Sequence, residues 1–140
     1  MPRIFVDASY YIALLNSADS FHNLALRVGR DVDARKDASL ITTESVLDEL
    51  LSFASGRGPG MRNAAVQLVD RAQANPSVTV LGQTSDIFRR GVELYRRRPD
   101  KTYSLTDCMS MVVCTDQGIR EVLTTDHDFE QEGFTILLKR

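Results

Sequence analysis

Carboxylates carry the chemistry that this sequence could perform. Asp7 closes the apolar run Ile4-Phe5-Val6, and Asp126 follows the run Val122-Leu123. Asp107 stands at the head of a helical stretch after Ser104, and Glu49 lies within another after Ser39–Thr43. Brought together, such groups repel one another and cannot all ionise cheaply without a cation. Hard oxygen donors suit Mg²⁺ or Mn²⁺, and magnesium keeps several waters while bridging to phosphate. A cation held this way can activate water and stabilise the attacking and leaving oxygens of a phosphodiester.

Each acid also has a plain structural use. Asp7 could cap the helix that follows its strand. Ser104-Leu105-Thr106-Asp107 matches a capping box. Asp126 and Asp128 flank His127 in a polar turn, where solvated acids are ordinary. Glu49 falls about 40° outside the apolar stripe of Val46, Leu47, Leu50, Phe53 and Ala54. Glu44 flanks that stripe on its other side, so periodicity does not choose between the two.

The elements that would position these acids alternate in type. Strands are expected at Arg3–Asp7, Ser39–Thr43, Val78–Leu81 and Glu121–Thr124, with a fifth at Phe134–Leu138. Helices are expected through Tyr10–Leu15, from Phe21 to Arg35, Glu44 to Ser55, Met61 to Ala74, Ser85 to Arg98, and Leu105 to Gly118. Gly56-Arg57-Gly58-Pro59-Gly60 reads as a loop, and no Lys-Ser or Lys-Thr follows it to make a phosphate-binding loop. Alternating strands and helices predict an α/β fold with a parallel sheet and helices on both faces. In such sheets, sites form beyond the carboxyl ends of the strands. Asp7, Glu49, Asp107 and Asp126 would converge there.

Composition bounds the rest. With 140 residues, 43% apolar and 26% charged, residues 1–140 make one soluble domain with a core of its own. Net charge of −2 points to no partner by itself. Cys108 and Cys114 fall in one helix on different faces and cannot bridge within it, and no Cys or His set resembles a zinc site. Free thiols, a first strand in place of a signal peptide and the lack of a long apolar run predict a cytoplasmic protein.

The motifs resemble those of PIN domains, most of all the VapC-like toxin ribonucleases, along essentially the whole chain. Ile4-Phe5-Val6-Asp7-Ala8-Ser9 is similar to the family's first motif and Val46-Leu47-Asp48-Glu49-Leu50 to its second. Tyr103-Ser104-Leu105-Thr106-Asp107-Cys108 is the most specific match. Leu123-Thr124-Thr125-Asp126-His127-Asp128-Phe129, with Gly133-Phe134 after it, is similar to the closing motif. The resemblance implies a three-layer α/β/α sandwich with a mostly parallel sheet, one or two Mg²⁺ or Mn²⁺ ions, and endonucleolytic cleavage of RNA. By motif position it assigns the acidic site to Asp7, Glu49, Asp107 and Asp126, favouring Glu49 over Glu44. It gives supporting roles to Ser9, beside Asp7, and to Thr125. It also implies a cognate antitoxin where the toxin lifestyle holds, and dimers, which similar domains commonly form.

Basic residues crowd one segment. Arg89, Arg90, Arg96 and Arg97 are candidate phosphate contacts, and their alternative is a solvated helix face. Arg89 and Arg96 share one face, and Arg90 and Arg97 its neighbour. Two rival functions are a non-catalytic RNA- or protein-binding module and a phosphatase- or receiver-like module using Asp7 as nucleophile. Against the second, the phosphatase pattern Asp-x-Asp fails at Ser9.

Overall fold

Ile4, Phe5 and Val6 have no exposed surface, so the first strand is buried on both faces. That is the signature of a central strand in a parallel sheet. In the computed structural model, which describes residues 2–140, this strand is β1 (Arg3–Val6). It leads to α1 (Ala8–Leu15), α2 (His22–Ala34), β2 (Ser39–Thr43), α3 (Glu44–Ser55), α4 (Pro59–Ala74) and β3 (Val78–Leu81). The second half is α5 (Ser85–Arg97), α6 (Leu105–Gln117), β4 (Glu121–Leu123), α7 (Asp128–Gln131) and β5 (Thr135–Ile136).

The sheet order is β3-β2-β1-β4-β5, and every pairing is parallel. Phe5 aligns with Ile41 on one side and Val122 on the other. From β1 the chain winds outward through β2 and β3, then returns to β4 beside β1 and winds the opposite way. The crevice at the carboxyl ends of β1 and β4 is therefore the topological switch point, where open α/β sheets place their sites. Helices α1 to α4 pack on one another, and α5 packs on α6. Right-handed crossovers put the two groups on opposite faces, giving the expected three layers.

Capping explains where the site helices begin. Thr43 accepts the Val46 N–H to start α3, and Thr84 does the same for Ile87 in α5. α6 ends at Gly118, whose φ of 67° is the left-handed conformation that glycine adopts freely. Gly91 lets α5 lie against α6, since a Cβ there would sit 2.5 Å from Met109 Cγ.

Some boundaries depart from the sequence pattern. α4 starts at Pro59 rather than Met61, because proline suits the first helical position and lacks only an N–H that needs no partner there. β1 and β4 stop one residue early, leaving Asp7 and Thr124 outside the strands. β5 is shorter than Phe134–Leu138, and α7 was too brief for periodicity to register.

Candidate active site

Asp7 occupies the N-cap position of α1 but makes no side-chain cap hydrogen bond. Its carboxylate faces other partners. The hydroxyls of Thr124 and Ser9 converge on Asp7 Oδ2 at 2.8 Å and 3.0 Å. The Thr125 N–H donates to Ser9 Oγ at 3.1 Å, and the Asp126 N–H donates to Thr124 Oγ1 at 3.0 Å. Each hydroxyl thus has an acceptor site filled by backbone, which leaves its hydrogen free to point at Asp7. The loop after β4 orients the side chain at the end of β1.

Asp107 combines both of its sequence readings. The capping box is present: Ser104 Oγ accepts the Asp107 N–H at 3.0 Å, and Asp107 Oδ2 accepts the Ser104 N–H at 2.9 Å. One oxygen caps α6, and the side chain is held rigid at the sheet's carboxyl edge. Carboxylate oxygens of Asp107, Asp126 and Asp128 lie within 4.8 Å of one another. Asp126 Oδ1 accepts the Asp128 N–H at 2.8 Å, and Thr102 donates to Asp128 Oδ2 at 3.2 Å.

Glu49 is exposed as a whole residue, while its carboxyl end is partly shielded among the other acids. Burial of its carboxyl, then the charges of Asp7, Asp107, Asp126 and Asp48, push it up to about 7. Glu44 is engaged elsewhere: its Oε1 accepts the Gln83 N–H at 2.9 Å and anchors the loop between β3 and α5. Packing thus separates two acids that periodicity left equivalent.

The other carboxyls shift the same way. Burial raises Asp7, against the opposing pull of the Thr124 and Ser9 hydroxyls and the nearby Ala8 and Ser9 amides. Burial, followed by the charges of Asp7 and Asp126, lifts Asp107 to about 6 despite its bond from Ser104. Asp126 is raised by burial and by the charges of Asp128 and Asp7. Acids that resist ionisation together form a pocket that a cation would relieve. The all-oxygen donor set fits a hard divalent ion such as Mg²⁺ or Mn²⁺.

The pattern of the PIN domain family matches residues 4–134. The chain belongs to the PIN domain family. Among curated PIN proteins, it is 31% identical over 134 residues to the 23S rRNA-specific endonuclease VapC20 of Mycobacterium tuberculosis, covering 94% of this chain and 95% of that one. The crystal structure of that VapC20, described as a sarcin-ricin loop cleaving toxin, superposes with a TM-score of 0.81 at 30% identity, covering 94% and 96%. VapBC2 from Rickettsia felis, bound to a DNA fragment from its promoter, shares the PIN fold with a TM-score of 0.66 at 10% identity, covering 96% and 97%. FitAcB from Neisseria gonorrhoeae shares it with a TM-score of 0.62 at 15% identity, covering 96% of each chain.

Within this PIN domain, two hydroxyls bond Asp7, those of Ser9 and Thr124, and Thr125 supports them through its backbone N–H to Ser9. Asp128 joins Asp107 and Asp126, although the sequence offered it only as a turn residue; the Asp-His-Asp spacing was its one signal. Asp7 and Glu49 share the pocket's field but stand outside that tightest group. Cys108 and Cys114 are buried and free.

The arginines are largely engaged with acids. Arg89 bonds Asp86, Arg96 bonds Glu93, and Arg90 grips both Asp116 oxygens at 2.6 Å. Arg97 has no acidic partner among the described residues and lines a groove of about 370 Å³ between α5 and α6 with Arg90 and Arg98. No helix among the described residues is long and apolar enough to cross a membrane.

Proposed function

We propose that this PIN domain is a metal-dependent endoribonuclease acting as one catalytic unit. The observation that carries the reading is the convergence of Asp7, Glu49, Asp107, Asp126 and Asp128 at the switch point between β1 and β4. Asp107, Asp126 and Asp128 would hold Mg²⁺ or Mn²⁺, with Asp7 and Glu49 completing the negative field. When bound, such an ion supplies Lewis acidity and lowers the pKa of water.

The chain's own residues do the positioning. Ser9 and Thr124 hold Asp7 through one oxygen, Oδ2, so that Oδ1 keeps a fixed direction. The capping box does the same for Asp107. Glu49, raised to about 7, would take a proton from the attacking water at its carboxylate as the new phosphorus–oxygen bond forms and the bond to the leaving RNA oxygen breaks, that oxygen departing as a hydroxyl with a proton from solvent. Arg97, and more weakly Arg89, Arg90 and Arg96, would steer the phosphate backbone toward the pocket.

The relatives' names favour structured ribosomal RNA as the substrate class and a toxin–antitoxin pair as the setting. The test is cleavage of RNA by pure protein with Mn²⁺, with a chelator, and with Asp126→Asn. Equal cleavage in all three would end the proposal.

A further inference from the structure

Ser110 is 1% exposed, and its hydroxyl has no hydrogen-bond partner at all. A buried hydroxyl without a partner costs about 1–3 kcal/mol of desolvation, so its presence in a packed helix asks for a use. A serine inside a helix commonly returns its hydrogen to a carbonyl one turn earlier. Thr115 in the same helix does so, donating to Met111 O at 3.0 Å. Ser110 does not.

Position suggests the use. Asp107, Ser110 and Cys114 follow one another on a single stripe of α6 at helical spacing, and all three are buried. Ser110 therefore lies one helical turn after Asp107 on the same buried face and borders the acidic site. Both hydroxyls that bind Asp7, from Ser9 and Thr124, converge on Oδ2.

We propose that Ser110 is a positioning residue of the metal centre, whose hydroxyl, one turn from Asp107, would donate to the acids or waters that hold the ion. This rests on the nuclease reading above. With the acids loaded and ionised, a donor one turn from Asp107 gains a charged acceptor, which offsets the desolvation of its hydroxyl. Groups that hold metal ligands in this way contribute about 10–100-fold in metal affinity.

The experiment titrates Mn²⁺ alone into wild type, Ser110→Ala, Ser110→Thr and Asp126→Asn by calorimetry, alongside unfolding of each metal-free protein. Ser110→Ala is expected to bind Mn²⁺ roughly 10-fold more weakly while its metal-free stability is equal to or above wild type. Ser110→Thr, which keeps the hydroxyl, should stay closer to wild-type affinity. Equal Mn²⁺ affinity in wild type and Ser110→Ala, with Asp126→Asn impaired, would overturn the role of Ser110 and leave the nuclease reading standing. No Mn²⁺ binding by wild type would sink both.

Discussion

Thr124 donates its hydroxyl hydrogen to Asp7 Oδ2 at 2.8 Å, joining residues 117 positions apart in the chain. The bond crosses from the end of β4 to the end of β1, and the same threonine oxygen accepts the Asp126 N–H. One buried side chain thereby couples two acids of the site. Thr124→Val should keep the packing volume but orphan the Asp126 N–H, costing about 1–3 kcal/mol by denaturant unfolding. Cleavage should fall sharply as well. Thr125→Val, whose backbone N–H is the contributing group, should leave both nearly unchanged.

Replacing Asp7 or Asp107 with Asn should lower RNA cleavage by roughly 10²-fold or more. Metal-free stability should hold or rise, because each substitution removes a charge that its neighbours disfavour. Single-turnover cleavage and urea unfolding read the two effects separately. Full activity in a rigorously purified Asp107→Asn protein would contradict the site assignment.

Glu49→Gln should lose nearly all turnover, whereas Glu44→Gln should keep most of it. Glu44 anchors Gln83 by an exposed hydrogen bond that an amide oxygen can still accept, so its loss should cost less than about 1 kcal/mol. The reverse ranking in initial cleavage rates would place the wrong acid at the site.

Stability without metal should depend on pH in a definite direction. Asp107 rises from 3.8 to about 6 on folding, and Glu49 from 4.5 to about 7. Both bind protons more tightly in the folded state, so their contribution is fully present below the lower values and is lost as pH rises. Thermal unfolding in chelator should therefore show stability declining between about pH 4 and pH 7, as a property of the coupled cluster rather than of one residue. Millimolar Mn²⁺ should flatten that decline. A decline unaltered by Mn²⁺ would speak against cation binding here.

Among the arginines, Arg97 should matter most for RNA, since Arg89, Arg90 and Arg96 already have acidic partners. Single-strand binding in Ca²⁺ separates affinity from catalysis. Each phosphate contact removed should flatten the log–log salt dependence by up to about 0.7. Arg90→Gln/Arg97→Gln is expected to show more of this than Arg89→Gln/Arg96→Gln. Identical salt slopes in both double variants and wild type would return the segment to a solvated surface.

The alternation of apolar runs with helical stretches was enough to predict a parallel sheet flanked by helices. Because such sheets open their sites at the strands' carboxyl ends, the run Ile4-Phe5-Val6-Asp7 already told where one acid would stand. The capping box at Ser104 and Asp107 was legible for the same reason: it is a local pattern read within one turn of helix. Local pattern did not separate Glu44 from Glu49, which flank one apolar stripe and differ only in what packs beside them. Nor could it show that Thr124 rather than Thr125 turns its hydroxyl to Asp7, since a one-residue shift at a strand end redirects every side chain. The binding of Arg90 by Asp116 and the entry of Asp128 into the acidic group are likewise matters of packing. Periodicity is written in neighbouring residues, whereas hydrogen bonds and charge between distant segments exist only once the fold has brought those segments together.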